Sequence, residues 1–205
     1  MTLPICRSWF PVGARLTVPY EAPQGRRVNA IGAHFTHGPE AGRFAYQTWA
    51  ALPKSRAKQP RKTPAEVATA QGLRVDEVGP IDAARFLAFV WRIAGRAADA
   101  PAGWQRERPL VVVLDNYSVH TSQTVAAAAP QLAAANVHWM YLPSYCPQLS
   151  AIEPDWNDVK QHQLPVRSFA HVADLKRAVD DALERKAYQL HQQYAETTNV
   201  GRSPT

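Results

Sequence analysis

A run of four apolar residues at positions 110–113, LVVV, constrains this chain more than any other stretch. The run follows Pro109 and gives way to an acid, Asp115. A valine-rich run of this kind predicts a parallel strand that is buried on both faces within an α/β sheet. Ligands collect at the carboxyl ends of strands in open α/β sheets, so Asp115 occupies a position where a functional group is expected.

A second predicted strand, at residues 137–142, leads into a proline-rich turn that ends at Glu153, shortly before Trp156. Taken singly, Asp115 is a surface acid, and Glu153 is a helix-starting residue that suits the helix dipole. Taken together, two acids at the ends of neighbouring elements predict half of a metal site.

Two stretches of sequence, DNYSVH and LPSYCPQLSAIEPDWNDVK, resemble the second and third acidic motifs of DDE transposases from bacterial insertion sequences of the mariner-type superfamily. The chain departs from that pattern at Cys146, Ser150 and Ala151. The upstream stretches SWFPVG and GRRVNAIGA are also similar to the family. The positions shared with the motifs are Asp115, Asn116, His120, Leu142, Pro143, Tyr145, Pro147, Leu149, Ile152, Glu153, Trp156 and Lys160.

The resemblance implies an α/β, ribonuclease-H-like fold, in which a mixed sheet is flanked by helices. It also implies metal-dependent cleavage and strand transfer of double-stranded DNA at transposon ends and target. Two Mg²⁺ or Mn²⁺ ions would serve that chemistry, with Asp115 and Glu153 as their ligands. Asn116 and His120 would orient water or phosphate, although His120 is equally well explained as a buried, hydrogen-bonded histidine.

One acid of the family pattern is missing. The first catalytic Asp would precede the segment matched by Trp9, but residues 2–8 contain no acid. We therefore expect residues 1–205 to be a DDE catalytic domain that is incomplete at its N-terminus, lacks the first, central strand of its sheet and is inactive by itself. We also expect the chain to lack the helix-turn-helix DNA-binding domain that the resemblance implies.

Composition narrows the class of protein. A length of 205 residues, 46% of them hydrophobic, allows one domain with a real core. The net charge of +6 favours a polyanionic partner. Two cysteines form neither a disulfide framework nor a zinc motif. Since neither a signal peptide nor a run of about 18 apolar residues occurs, we expect a cytoplasmic protein without a membrane partner.

The remaining segments predict a strand-rich first part and a helical second part. Strands are expected at residues 14–20, 27–35 and 43–50, as an antiparallel meander. Residues 53–80 are basic and proline-rich, which predicts an exposed loop insertion with little regular structure; a DNA contact is the alternative. Helices are expected at residues 81–96, at 121–135 with a break or kink at Pro130, and from a cap at Ser168 onward.

Three functions fit these observations. The first is the catalytic domain of a metal-dependent transposase. The second is a non-catalytic transposase remnant that binds DNA or forms a homodimer. The third, an ordinary ribonuclease-H-like nuclease, is disfavoured by the long motif that runs from Tyr145 to Trp156.

Overall fold

The computed structural model describes residues 26–53, 62–143, 146, 149–165 and 169–200. The chain forms two compact units. One comprises Met1–Pro80 together with Pro154–Thr205, and the other comprises Ile81–Glu153. The predicted strand at 14–20, the segment around Trp9 and the cap at Ser168 lie outside the described residues.

The first unit contains an antiparallel hairpin. Strand β1 (Val28–His34) pairs with β2 (Phe44–Ala50) along its whole length, in the register Val28↔Ala50 to His34↔Phe44. Both strands confirm the predictions for residues 27–35 and 43–50. Phe44 and Trp49 are buried on β2, and because they are five positions apart in a strand they lie on opposite faces, so side chains are buried on both faces of the hairpin.

The described part of residues 53–80 is structured, so the prediction of a loop with little regular structure is wrong there. Helix α1 (Pro64–Gln71) is followed by a short 3-10 helix (Val75–Glu77). Thr63 and Glu66 form a reciprocal capping box at the start of α1. Val67 and Val78 are buried. The lysines and prolines of this stretch favour a loop, whereas the TPAE cap favours a helix start, and the cap prevails.

Helix α5 (Val172–Val200) packs against the hairpin, as its apolar periodicity predicts. Val179, Leu183 and Leu190 on its inner face are buried. A polar seam reinforces this contact: the Thr48 hydroxyl donates to Oδ1 of Asp180, and Lys176 Nζ lies 2.8 Å from Oδ2 of the same residue.

A short helix, α4 (Glu153–Asp158), continues into a π-helical turn (Val159–Gln163). Trp156 of α4 packs on the hairpin, with its ring 5.8 Å from that of Phe44 in an edge-on arrangement. Gly32 of β1 leaves space for this indole, because a Cβ at position 32 would lie 2.8 Å from its Cζ2 atom.

The second unit contains helix α2 (Ala83–Ile93), strand β3 (Leu110–Leu114), helix α3 (Gln123–Ala134) and strand β4 (Val137–Tyr141). Strands β3 and β4 are parallel, with Leu110 opposite Val137 and Leu114 opposite Tyr141. Pro130 lies inside α3, which continues through it as one helix. The predicted apolar stripe of α2 is buried; it consists of Phe86, Phe89, Val90 and Ile93.

Strand β3 is parallel, as predicted, but it is not buried on both faces. Val111 and Val113 are 56% and 49% exposed, and Met140 of β4 on the same face is 56% exposed. Leu114 on the opposite face is buried. The run of valines predicted burial on both faces, but within the described residues only the face that carries Leu114 is covered.

The described residues thus form a mixed α/β structure, with one antiparallel and one parallel two-stranded sheet beside helices. This arrangement is compatible with the ribonuclease-H-like fold. A single continuous sheet, and the loss of its central strand, stay predictions. Among the described helices, none combines the length and apolar character needed to cross a membrane.

Candidate functional site

Asp115 follows the last residue of β3, at the carboxyl end of the parallel pair. Its carboxylate is held by its own loop. The Tyr117 backbone amide donates to Oδ1 at 3.0 Å, an Asx-type turn that fixes the side chain. The side chain is 59% exposed, and Oδ2 takes part in neither this hydrogen bond nor the contact with His120. The loop therefore offers a fixed, solvent-facing carboxylate oxygen.

His120 is the neighbour that the motif predicts for Asp115. Its Nδ1 lies 2.8 Å from Asp115 Oδ1, and its side chain is 17% exposed. The imidazole packs against the Phe86 ring of α2, with 4.6 Å between ring centres. The Tyr141 hydroxyl donates to the His120 carbonyl at 2.8 Å. His120 is thus largely buried and contacts the candidate ligand, while its predicted role toward water or phosphate stays a prediction.

Asn116 joins the ends of the two strands. Its side-chain amide donates to the Leu142 carbonyl at 2.8 Å, and the Leu142 amide donates to the Leu114 carbonyl at 2.8 Å. These bonds extend the parallel ladder by one step beyond β4. Asn116 therefore fixes the loop that carries Asp115 against the start of the segment that leads toward Glu153.

Glu153 is the first residue of α4, as predicted for a helix-starting acid, and it is exposed. Its backbone amide donates to the Ser150 carbonyl at 3.1 Å, which closes the turn before the helix. Of the motif residues between β4 and α4, Ser144, Tyr145, Pro147 and Gln148 lie outside the described part of the chain. Cys146, which replaces the family's serine, is a free thiol.

The donor atoms suit a hard divalent cation. Asp115 and Glu153 each supply an exposed carboxylate, and carboxylate and amide oxygens are the ligands that Mg²⁺ prefers. Across the described residues, however, no three His, Cys, Asp or Glu side chains cluster closely enough to hold a metal ion. Two-ion chemistry needs further oxygen ligands beyond these two carboxylates.

Sequence reasoning missed a buried charge cluster beside Glu153. Asp155 is only 5% exposed, and its Oδ1 lies 3.2 Å from Nζ of Lys186 on α5. Its Oδ2 lies 2.8 Å from Nδ1 of His34 on β1, although the two groups are not aligned for a hydrogen bond. Lys186 also contacts Asp158 at 3.1 Å. We name His34, Asp155, Asp158 and Lys186 the α4 cluster.

Charge pairing dominates the α4 cluster. Burial alone raises the pKa of the Asp155 carboxyl, but the close His34 and Lys186 side chains outweigh burial and hold this pKa below its usual value. Burial alone lowers the pKa of Lys186, but Asp158 and Asp155 outweigh it and hold this pKa above its usual value. Both residues therefore stay charged near neutral pH.

One feature of the sequence indicates a buried charge pair on α5. Lys186 lies three residues after Leu183 and four before Leu190, on the apolar stripe of α5. A lysine inside such a stripe predicts a buried partner, because an unpaired buried ammonium is costly. The partners themselves are far away in sequence, so the signal points to a pair without identifying it.

A comparison with protein families finds that the model for the DDE superfamily endonuclease matches residues 67–176, which are 110 of the 205 residues. The chain belongs to this endonuclease superfamily. Asp115, Asn116, His120 and Glu153 all lie within the matched range. Enzymes of this superfamily act on DNA and generally depend on a divalent metal ion. A search of curated proteins finds no match.

Proposed function

We propose that this chain is the catalytic domain of an insertion-sequence transposase, in which Asp115 and Glu153 bind a Mg²⁺ or Mn²⁺ ion for DNA strand cleavage and transfer at the element's ends. The observation that carries the proposal is the Asp115 loop: a carboxylate at the end of a parallel strand, fixed by the Tyr117 amide and His120 and open to solvent on one side.

Each site residue has a distinct role in this proposal. Asp115 and Glu153 ligate the ion, which when bound activates the attacking oxygen and neutralises charge on the leaving one. His120 holds the Asp115 carboxylate in one orientation through its 2.8 Å contact. Asn116 fixes the loop through the Leu142 carbonyl and keeps its side-chain oxygen for water or phosphate.

A second function, a non-catalytic transposase remnant that binds DNA or forms a homodimer, is favoured by one observation. Among the described residues, no three metal-ligating side chains form a cluster. Under this alternative the net charge of +6 would still attract DNA, while the site would lack the ligands to fix two ions. For either function we propose a cytoplasmic location, since the two cysteines form no disulfide framework.

Metal binding separates these functions. The purified chain is titrated with Mn²⁺, and bound ion is followed by electron paramagnetic resonance. We expect one site, whose affinity falls at least about tenfold in Asp115→Asn and in Glu153→Gln, because each loses a charged ligand. Glu107→Gln is the matched control, since Glu107 is an exposed acid elsewhere in the same unit. Equal Mn²⁺ affinity in all four proteins would contradict the catalytic proposal and favour the remnant.

A further inference from the structure

We infer that the α4 cluster is a positioning device for Glu153: it fixes helix α4 so that its first residue presents a carboxylate to solvent. The inference rests on the proposed function, because it gives a role to residues that touch neither the ion nor DNA. Its starting point is that Asp155, two residues after Glu153, is the buried acid of the helix while Glu153 is exposed.

Helix α4 is too short to be stable without contacts to other elements. It has six residues, Glu153–Asp158, and isolated helices shorter than about 12 residues are marginal in water. Its stability must therefore come from tertiary contacts. Those contacts are Trp156 against Gly32 and Phe44 of the hairpin, and the α4 cluster.

The α4 cluster joins Asp155 and Asp158 of α4 to two other elements of the first unit. Asp155 contacts His34 on β1 through one carboxylate oxygen and Lys186 on α5 through the other. Lys186 reaches a second acid of α4, Asp158, at 3.1 Å. Because these contacts come from two directions, they restrain both the position of the helix and its rotation about its axis.

The rotation of α4 about its own axis determines the direction in which the Glu153 side chain points. Residues two apart in an α-helix are separated by about 200° around the axis, so they point in nearly opposite directions. When Asp155 is turned inward to its buried partners, Glu153 is turned outward. A rotated α4 would leave Lys186 without its buried partner and would bury the Glu153 carboxylate, which makes the observed orientation the favourable one.

Hydrogen exchange of the unmodified chain tests the restraint without any metal. If the α4 cluster fixes the helix, the amides of residues 156–159 exchange as slowly as those of the β1–β2 hairpin. In Asp155→Asn, which removes the charge and keeps the size, exchange of these amides rises at least about tenfold while the hairpin stays protected. Asp174→Asn is the control, because it removes an exposed acid of α5 that pairs with Arg177.

A double-mutant cycle tests the consequence for Glu153. Asp155→Asn should weaken Mn²⁺ binding at least about tenfold in the unmodified chain, since misplacement of a reacting group by about 1 Å costs on the order of a hundredfold. In a Glu153→Gln background it should change Mn²⁺ affinity less than about twofold, because the ligand that it positions is already lost. Lys186→Met replaces Asp155→Asn if that variant does not fold.

The outcomes are distinguishable. Equal weakening with and without Glu153 would overturn the inference, since it indicates a general effect of charge or folding. Fast exchange at residues 156–159 in the unmodified chain would overturn it too, even where Mn²⁺ binding depends on Glu153. Absence of Mn²⁺ binding by the unmodified chain would instead contradict the proposed function, and the positioning role would fall with it, whatever the exchange rates.

Discussion

The contact between Gly32 and Trp156 leaves no room for a side chain at position 32. A Cβ there would lie 2.8 Å from Cζ2 and 3.0 Å from Cη2 of the indole. We expect Gly32→Ala to lower the free energy of unfolding by about 1–3 kcal/mol, as overpacking does in a filled core. Urea unfolding measures it. Trp156→Leu removes the ring, so adding Gly32→Ala to that variant should cost much less; an equal cost in both backgrounds would contradict the steric explanation.

His120 and Asp115 illustrate a pair that sequence could predict. They are five positions apart, and the motif placed them together; the structure confirms the proximity at 2.8 Å. Partners of metal ligands typically contribute about 10–100-fold to metal affinity. We therefore expect His120→Gln to weaken Mn²⁺ binding by about tenfold in the resonance titration. His138→Gln, an exposed histidine on β4, is the control. Unchanged affinity in His120→Gln would assign His120 a packing role alone.

The α4 cluster illustrates what sequence could not predict at this scale. Asp155 and His34 are 121 positions apart, and neither stands in a motif with the other. Their contact depends on how the hairpin and α4 pack, which follows from the tertiary structure and not from local pattern. Only Lys186, on an apolar stripe, carried a local signal.

At the level of elements, local signals sufficed where composition or apolar period was clear. Apolar period predicts helices α2 and α5, and strand-like composition between Gly/Pro turns predicts strands β1 and β2. The TPAE start of helix α1 is a capping box, which favours a helix, whereas the prolines and basic residues around it favour a loop; the structure follows the capping box. The burial of β3 was overestimated for a different reason. A run of apolar residues shows which side chains can be buried, but it does not show which faces of the strand other elements cover.

The 3-10 helix Val75–Glu77 is tied to α5 by a pH-dependent contact. The backbone amide of Arg74 donates to Glu77, and Lys176 Nζ lies 3.3 Å from its carboxylate; both hold the pKa of Glu77 below its usual value, although burial opposes them. A lowered carboxyl pKa stabilises the fold above the unfolded value, about 4.3, and this contribution is lost as pH falls through the folded value.

We therefore expect Glu77→Gln to lower the free energy of unfolding by about 1 kcal/mol at neutral pH, and by progressively less as the pH falls through the lowered pKa of Glu77. Urea unfolding of both proteins over a series of pH values, from neutral into the acid range, measures this difference. Glu184→Gln, an exposed acid on α5, should change stability little across this range. A difference that stays constant as the pH falls would contradict the charge-based explanation.

For the whole molecule, the net charge and the number of metal ligands predict different things: the charge favours DNA binding, whereas the number of ligands disfavours catalysis. The net charge of +6 favours binding to DNA, and neutralised phosphates release counterions, so affinity should fall steeply as salt rises. Catalysis has a stricter requirement. Two-metal chemistry needs enough oxygen ligands to fix both ions, and the described residues provide no cluster of three ligating side chains.

We therefore expect the 205-residue chain, supplied with Mg²⁺ or Mn²⁺, to bind duplex DNA weakly but not to cleave or join it at a measurable rate. Fluorescence anisotropy at several salt concentrations measures binding, and gel analysis of end-labelled DNA carrying the element's ends measures cleavage. Asp115→Ala is the control: it should bind DNA as well as the unmodified chain does, since it removes a negative charge and no phosphate contact. Cleavage by the unmodified chain that disappears in Asp115→Ala would contradict this prediction, because it would require another residue to complete the metal site.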